Sequence, residues 1–347
     1  MRIFKSMMVA ASVSTAAWTG AAFADGHLTT VNMINPLPRS TVFYPLVVGE
    51  ALGYFEEEGV AVNLLPSDTS IPYVAFIENG QADLSMLDQT ETLTAVIAGA
   101  NINTVYEVMQ NAPEGIAVLA GGDYASMTDL NGTVVGLVSD RDRAFLQAAM
   151  DVAGGSIDDV TTVVLGESGP VLANAIQSGD VSAIAGSVFD WATLQAAGID
   201  LALITPEELL ASPANTFAMN VDMIEEKREA MEGFLRAWSK GIYASVGNAD
   251  MVEAMLREAV PEEWENEEAG KSLLDGVMPM NTSSTPRIGD LQSDVWAAIQ
   301  PRLVSSGGIE REVPVEEFLN DTYIDAANDF DKAEVDAEVA AWRDANM

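Results

Sequence analysis

The sequence predicts an α/β protein of two lobes, each a mostly parallel sheet with helices on both faces. Three observations point there. The chain has 347 residues, the length of about two ordinary domains. Apolar residues make up 48% of it, enough to build substantial cores. Short apolar runs of strand length alternate with helical stretches of about ten residues, which is the rhythm of strand–helix–strand units. No low-complexity tether interrupts that rhythm, so the lobes must be joined by short crossings.

The elements follow in order. Residues 28–34 read as a strand, broken by Pro36 and Pro38. Residues 42–57 read as a helix with Pro45 in its first turn, where a missing N–H does no harm. Residues 60–65 are apolar enough for a buried strand. Asp68 suits the N-cap of a helix over 70–79, which Gly80 stops. A strand at 82–86, a helix at 90–98 and a strand at 104–109 complete the first series. A second begins with a new apolar stretch at 116–120 and a strand at 133–138, then a helix over 141–152 ending at Gly154 and Gly155. Strands at 160–165, 181–185 and 201–204 then alternate with helices at 169–177 and 189–197. From Val221 onward the pattern is helical: 223–245, 249–260, 265–275, 289–304, and an acidic tail over 314–347.

The first 24 residues read as an export signal. Arg2 and Lys5 precede an apolar, small-residue stretch that closes on Ala22-Phe23-Ala24, an A-x-A site cut before Asp25. That marks the mature chain for export. No cysteine follows the cut, so no lipid anchor is expected, and no later window is long and apolar enough to span a bilayer.

Charge and composition exclude several functions. Asp and Glu number 53 against 16 Lys and Arg, for a formal net charge of -37. Such a surface repels phosphate backbones and anionic membranes. There is no cysteine and one histidine, His27, which removes thiolate and His-rich metal sites, cysteine nucleophiles and an ordinary Ser-His-Asp triad. No G-x-G-x-x-G and no phosphate-loop motif occurs. Gly166-Glu167-Ser168-Gly169 lacks the spacing of a nucleophile elbow. Asp329, Asp331, Glu334 and Asp336 lack the glycine of a calcium loop and read as a solvated helix face. No catalytic residue, metal ligand or cofactor is assigned.

Five segments then carry a resemblance. Residues 45–64, PLVVGEALGYFEEEGVAVNL, follow the pattern PLYVAxxxGYFxxEGLxVEL. GQADL at 80–84, PEG at 113–115, DLNGTVVG at 129–136 and AIQSGDV at 175–181 follow in the same family's order and spacing. The chain resembles the nitrate/sulfonate/taurine and thiamine-precursor group of periplasmic binding proteins that serve ABC importers, over about residues 31–245. The resemblance implies a two-lobed periplasmic-binding-protein fold of the second type, with a helical C-terminal segment and a ligand cleft between the lobes. The implied division is 25–112 plus 216–347 for lobe one and 113–215 for lobe two, with hinges near 112–115 and 212–217. Fungal enzymes of the superfamily use a cysteine-rich segment, which this chain lacks. The WTPN-like stretch of the thiamine-precursor branch is also missing: residues 33–39 are MINPLPR.

In open parallel sheets ligands lie beyond the carboxyl ends of the strands. Applied here, that rule selects Arg39, Thr41 and Phe43 after the first strand, Thr69 after the second and Gln89 after the third. Gln110 and Asn111 precede the crossing. The second lobe contributes Arg141, Ser168, Ser187, Phe189 and Trp191. The arginines offer planar forks for a carboxylate or sulfonate. The expected function is therefore capture of a small organic solute, a sulfonate, taurine-like compound or carboxylate first. A thiamine-precursor pyrimidine or other neutral heterocycle is the alternative. The partner is a membrane permease, and the receptor is a monomer. The rivals are an exported hydrolase using two carboxylates and the ligand domain of a sensor.

Overall fold

The structure, a computed structural model, describes residues 28–35, 39–66 and 73–347. The export signal, Pro36, Pro38, Asp68 and Thr69 lie outside the described residues.

The first series runs β1 (Thr29–Ile34), α1 (Tyr44–Ala51), α2 (Tyr54–Glu57), β2 (Val60–Leu64), α3 (Tyr73–Glu78), β3 (Leu84–Asp88), α4 (Gln89–Ile97) and β4 (Ile102–Asn111). The second runs β5 (Glu114–Leu119), β6 (Val134–Leu137), α5 (Asp142–Val152), β7 (Thr161–Val164), α6 (Gly169–Ser178), β8 (Ala183–Ser187), α7 (Val188–Ala196) and β9 (Leu201–Leu203). The chain returns through α8 (Glu207–Leu210) and β10 (Ala211–Asn220). It ends in α9 (Arg228–Ser245), α10 (Ala249–Ala259), α11 (Glu267–Val277), α12 (Ser293–Ser305), α13 (Ile324–Ala327) and α14 (Lys332–Asn346).

Two five-stranded sheets result, ordered β2-β1-β3-β10-β4 and β7-β6-β8-β5-β9. In each, one strand opposes the rest. β10 runs antiparallel to β3 and β4, and β5 antiparallel to β8 and β9. The other pairings are parallel. The opposing strands are the two that enter a sheet just after the chain has crossed from the other.

Two expectations change here. Residues 212–217, read as a hinge, are strand, and β10 belongs to the first sheet from Ala211 onward. Pro213 cannot donate to a ladder, yet the register against β4 shifts between Ala211 and Asn215, and that irregularity accommodates it. The second crossing therefore lies before Ala211, and Ala112 N–H ties it to the first by donating to Leu210 O at 2.8 Å. The expected helix over 42–57 is also divided. Thr41–Phe43 form a 3-10 turn, and Gly53, at φ 78°, ends α1 and starts α2.

The main core fills the α1/α9 side of the first sheet. Phe217, Phe234 and Trp238 are fully buried there, with Phe217 and Trp238 edge-to-face at 4.9 Å. Each such ring contributes on the order of 2–3 kcal/mol by burial. α9 can lie close on α1 because Gly241 has no side chain: a Cβ there would sit 2.5 Å from Pro45 O. In the second lobe, alternation along β5 sends Ile116 to a cluster with Leu137 and Leu146 and Ala117 to one with Leu172 and Leu194. The C-terminal helices wrap the first lobe. Their connecting segment covers the edge of β4, where Thr104 N–H donates to Phe318 O at 2.7 Å and Asn320 N–H to Thr104 O at 2.9 Å. α11 reaches the second lobe and packs on α7, with Gly276 against Val188.

Candidate functional site

The carboxyl ends of β3, β6 and β8 carry helix-capping acids, because each strand runs directly into a helix. Asp88 closes β3 and caps α4: its Oδ1 accepts from Glu91 N–H at 2.7 Å, and Glu91 Oε2 accepts from Asp88 N–H at 3.0 Å. After β6, Asp142 Oδ2 accepts from the N–H and hydroxyl of Ser139 at 2.6 and 3.0 Å. After β8, Asp190 Oδ2 does the same for Ser187, at 2.8 and 2.9 Å. β5 adds a fourth acid. Because β5 is antiparallel, its first residue, Glu114, stands opposite Ser187, the last of β8.

These acids share one electrostatic environment. Burial raises the Glu114 carboxyl above its ordinary range, and Asp88 from the first lobe and Asp142 from the second raise it further, with Arg141 opposing. Burial also raises Asp142, with Asp190 adding and Arg141 opposing. Asp88 and Glu91 are raised by burial too, Glu91 also by Asp88. Charges from both lobes therefore converge on Glu114, at the first crossing. Chemically, the junction presents carboxylate acceptors and a single guanidinium.

The arginines expected to clamp an anion separate. Arg39 is forked onto Glu50, with Nη2 to Oε1 at 2.9 Å. Arg141 is exposed, with no ion pair among the described residues, beside Glu114 and Asp142. Thr41 is wholly buried; its N–H donates to Glu263 Oε2 at 2.7 Å, and its hydroxyl has no partner among the described residues. Phe43 belongs to the main core. Gln89 Oε1 accepts from the Ser212 hydroxyl at 3.0 Å.

Gln110 and Asn111 hold the C-terminal segment. Gln110 donates to Asp290 O at 2.9 Å and accepts from Ser284 N–H at 2.9 Å, and Asn111 donates to Pro279 O at 3.0 Å. Ser168 is exposed at the start of α6, and Ser187 caps α7 with Asp190. Phe189 is 43% exposed. Trp191 is core: it fills the space left by Gly115 and Gly186, which face each other across β5 and β8, and a Cβ on Gly186 would lie 3.3 Å from its ring. The sequence reading missed Glu114, which it took only as part of the PEG motif. An ionisable residue at a chain crossing between lobes was the available signal.

Two surface cavities, of about 580 and 570 Å³, lie elsewhere. One runs along β7 and α6 past Val163 and Val171, the other between α3 and α4 past Val74 and Ala95. Neither draws residues from both lobes. Among the described residues no group of acids or histidine is arranged to hold a metal ion, and no helix is long and apolar enough to cross a membrane.

Comparison with known proteins gives a consistent picture. A family model described as NMT1/THI5 like matches residues 40–250. A formylaminopyrimidine-binding protein of Halalkalibacterium halodurans is 26% identical over 258 residues, covering 72% of this chain and 77% of that protein. A riboflavin-binding protein of Chloroflexus aurantiacus is 21% identical over 293 residues, covering 81% and 82%. The crystal structure of the periplasmic aliphatic sulphonate binding protein SsuA from Escherichia coli superposes with a TM-score of 0.64 at 14% identity, over 83% of this chain and 91% of that one. That last likeness is one of fold.

Proposed function

The chain belongs to the NMT1/THI5-like family, and from that premise we propose that it is the periplasmic receptor of an ABC importer for a small, donor-rich nitrogen heterocycle of the pyrimidine class. The receptor is a monomer exported by cleavage after Ala24. It takes the solute between its lobes, closes about the two crossings and offers the closed form to the permease. It turns nothing over. The division is residues 25–112 with the C-terminal helices on one side and the segment entered at Pro113 on the other, the return crossing falling before Ala211.

One observation carries the choice of solute. Glu114 feels the charges of Asp88 from the first lobe and Asp142 from the second, Asp142 also feels Asp190, and Arg141 opposes at both Glu114 and Asp142. Carboxylates accept hydrogen bonds and repel anions, so they favour exocyclic amines and ring N–H groups. The formylaminopyrimidine-binding relative supports the same class. A sulfonate or carboxylate, favoured on the sequence alone, draws its support from Arg141, while Arg39 is paired with Glu50.

The test is a thermal-shift panel on refolded, ligand-stripped protein with formylaminopyrimidine, cytosine, riboflavin, taurine, alkanesulfonates and small carboxylates. Ligand at about a hundredfold its Kd stabilises by about 2.7 kcal/mol, a visible shift. Pyrimidines are expected to shift the melt, Glu114→Gln to weaken that shift and Arg141→Ala to leave it. A sulfonate shift lost in Arg141→Ala refutes the assignment.

A further inference from the structure

β7 is the outermost strand of the second sheet and pairs with β6 on one side only. Thr161 N–H donates to Thr133 O at 2.9 Å and Leu165 N–H to Leu137 O at 2.8 Å, so the alternation of a strand turns the N–H and C=O of Thr162 and Val164 outward. Sheet edges are ordinarily blunted by a charged side chain, a proline, a bulge or a covering segment. The β4 edge of the first sheet follows that rule, since the C-terminal segment covers it. Among the described residues no strand or segment pairs with the outer side of β7. Its four residues are Thr-Thr-Val-Val, and Val163 and Val164, which point to opposite faces, are 40 and 50% exposed. Beside Val163 runs the groove of about 580 Å³, bounded by Leu165 and, on α6, by Val171, itself 44% exposed. An open strand edge and an apolar groove thus lie side by side on the second lobe.

The charge about this surface decides what fits it. Asp158 precedes the strand, Glu167 follows it and Asp180 lines the groove, all three exposed. Arg143 reaches Thr162 Oγ1 at 2.5 Å but brings Asp140 with it, at 3.5 Å. A second copy of this chain would set these acids against their own counterparts across a two-fold axis, which like-charge repulsion disfavours. We propose that β7 and its groove dock an extended segment of the permease whose alternate side chains are apolar and basic. Its backbone extends the sheet by pairing with Thr162 and Val164, its apolar side chains enter the groove beside Val163, and its basic side chains meet Asp180 and Glu167. The surface belongs to one lobe, so it engages whether the cleft is open or closed. It sets how tightly the receptor docks, not how a loaded receptor is told from an empty one. This assignment rests on the importer reading above.

In the experiment, solute-free receptor is titrated onto proteoliposomes holding the permease encoded with this chain, and binding is read by co-flotation against empty liposomes. The parent should bind. Val163→Lys and Asp180→Lys should each need at least about tenfold more receptor for half-saturation, while melting as the parent does. The second variant serves if the first does not fold. The chain has no cysteine, so a benzophenone carried on Val164→Cys labels one site. On illumination that label should join the permease, and the same label on Val246→Cys, 62% exposed on the first lobe, should not. If the parent does not bind the permease, the importer reading fails and this inference with it. If the parent binds and both lysine variants bind equally well, or the label at 164 finds no permease, the inference alone is overturned. A parent that sediments as a dimer, and is broken to monomers by Val163→Lys, gives the edge to a second copy and also overturns it.

Discussion

Replacing Glu107 with glutamine should stabilise the protein in alkali and leave it nearly unchanged in acid. Glu107 sits on β4, 1% exposed, and accepts from Gln292 N–H at 2.8 Å, Gln292 Nε2 at 3.1 Å and Trp296 Nε1 at 2.9 Å. Those donors favour the carboxylate, but burial outweighs them and pushes the group from 4.5 up to about 7. The folded state therefore binds this proton more tightly than the unfolded chain does. The resulting stability is fully present below about pH 4.5 and is lost as pH rises through about 7. At 1.36 kcal/mol per pKa unit the loss is about 3 kcal/mol.

Glutamine carries no such burden, although its amide meets that of Gln292, at a cost of about 1 kcal/mol. Urea unfolding of parent and variant at pH 5 and 8.5 isolates the effect, because the general repulsion of an acidic chain is common to both. With a slope of roughly 3 kcal/mol per molar, the variant's midpoint should exceed the parent's by up to about 1 M at pH 8.5 and match it closely at pH 5. A difference that does not change with pH, or one that turns against the variant in alkali, refutes the reasoning. It would mean that the three donors, rather than burial, govern Glu107.

Three further outcomes are expected. Gly289→Ala should destabilise by about 3 kcal/mol or more in urea, because the backbone there is at φ 76° and a Cβ would lie 2.1 Å from the Tyr106 ring; a loss below about 1 kcal/mol would show that the loop yields easily. Lys240→Met should lose about 2 kcal/mol, since Glu57 and Glu58 stand 2.9 and 3.2 Å from its ammonium and only Glu57 is well exposed; unchanged stability would show the pair is fully offset by desolvation. Raising NaCl toward 1 M should lift the melting temperature, because 53 acids face 16 bases; a flat salt profile would show that ion pairs already balance the repulsion.

The strand–helix rhythm of both lobes was legible because it rests on local signals. Gly53, Gly80 and Gly179 each end a helix at positive φ, and apolar runs mark the central strands. What escaped was set by distance in sequence. β10 looked like a connection because Ser212-Pro213-Ala214 reads as punctuation, whereas its pairing with β3 and β4 comes from more than a hundred residues earlier. The cleft loops were located by rule, but side-chain use was not readable: Arg39 is taken by Glu50 on the next helix, and Gln110 by a segment 174 residues away. Trp191 looked available at a helix start, yet two glycines on neighbouring strands make room for it inside.

The seating of α11 on α7 ties the width of the cleft to a part of the chain remote from any strand end. In the closing receptor proposed above, a rotation of the second lobe would slide Val188 past Gly276, and the resting balance between wide and narrow mouths would depend partly on how well these two helices mesh. Apparent affinity scales with the fraction of molecules already shaped to receive the solute. On that proposal the C-terminal helices would tune capture strength through the packing of α11 on α7. Bulk added at Gly276 would shift the threshold concentration at which the receptor fills, and the choice of solute would stay with the strand ends.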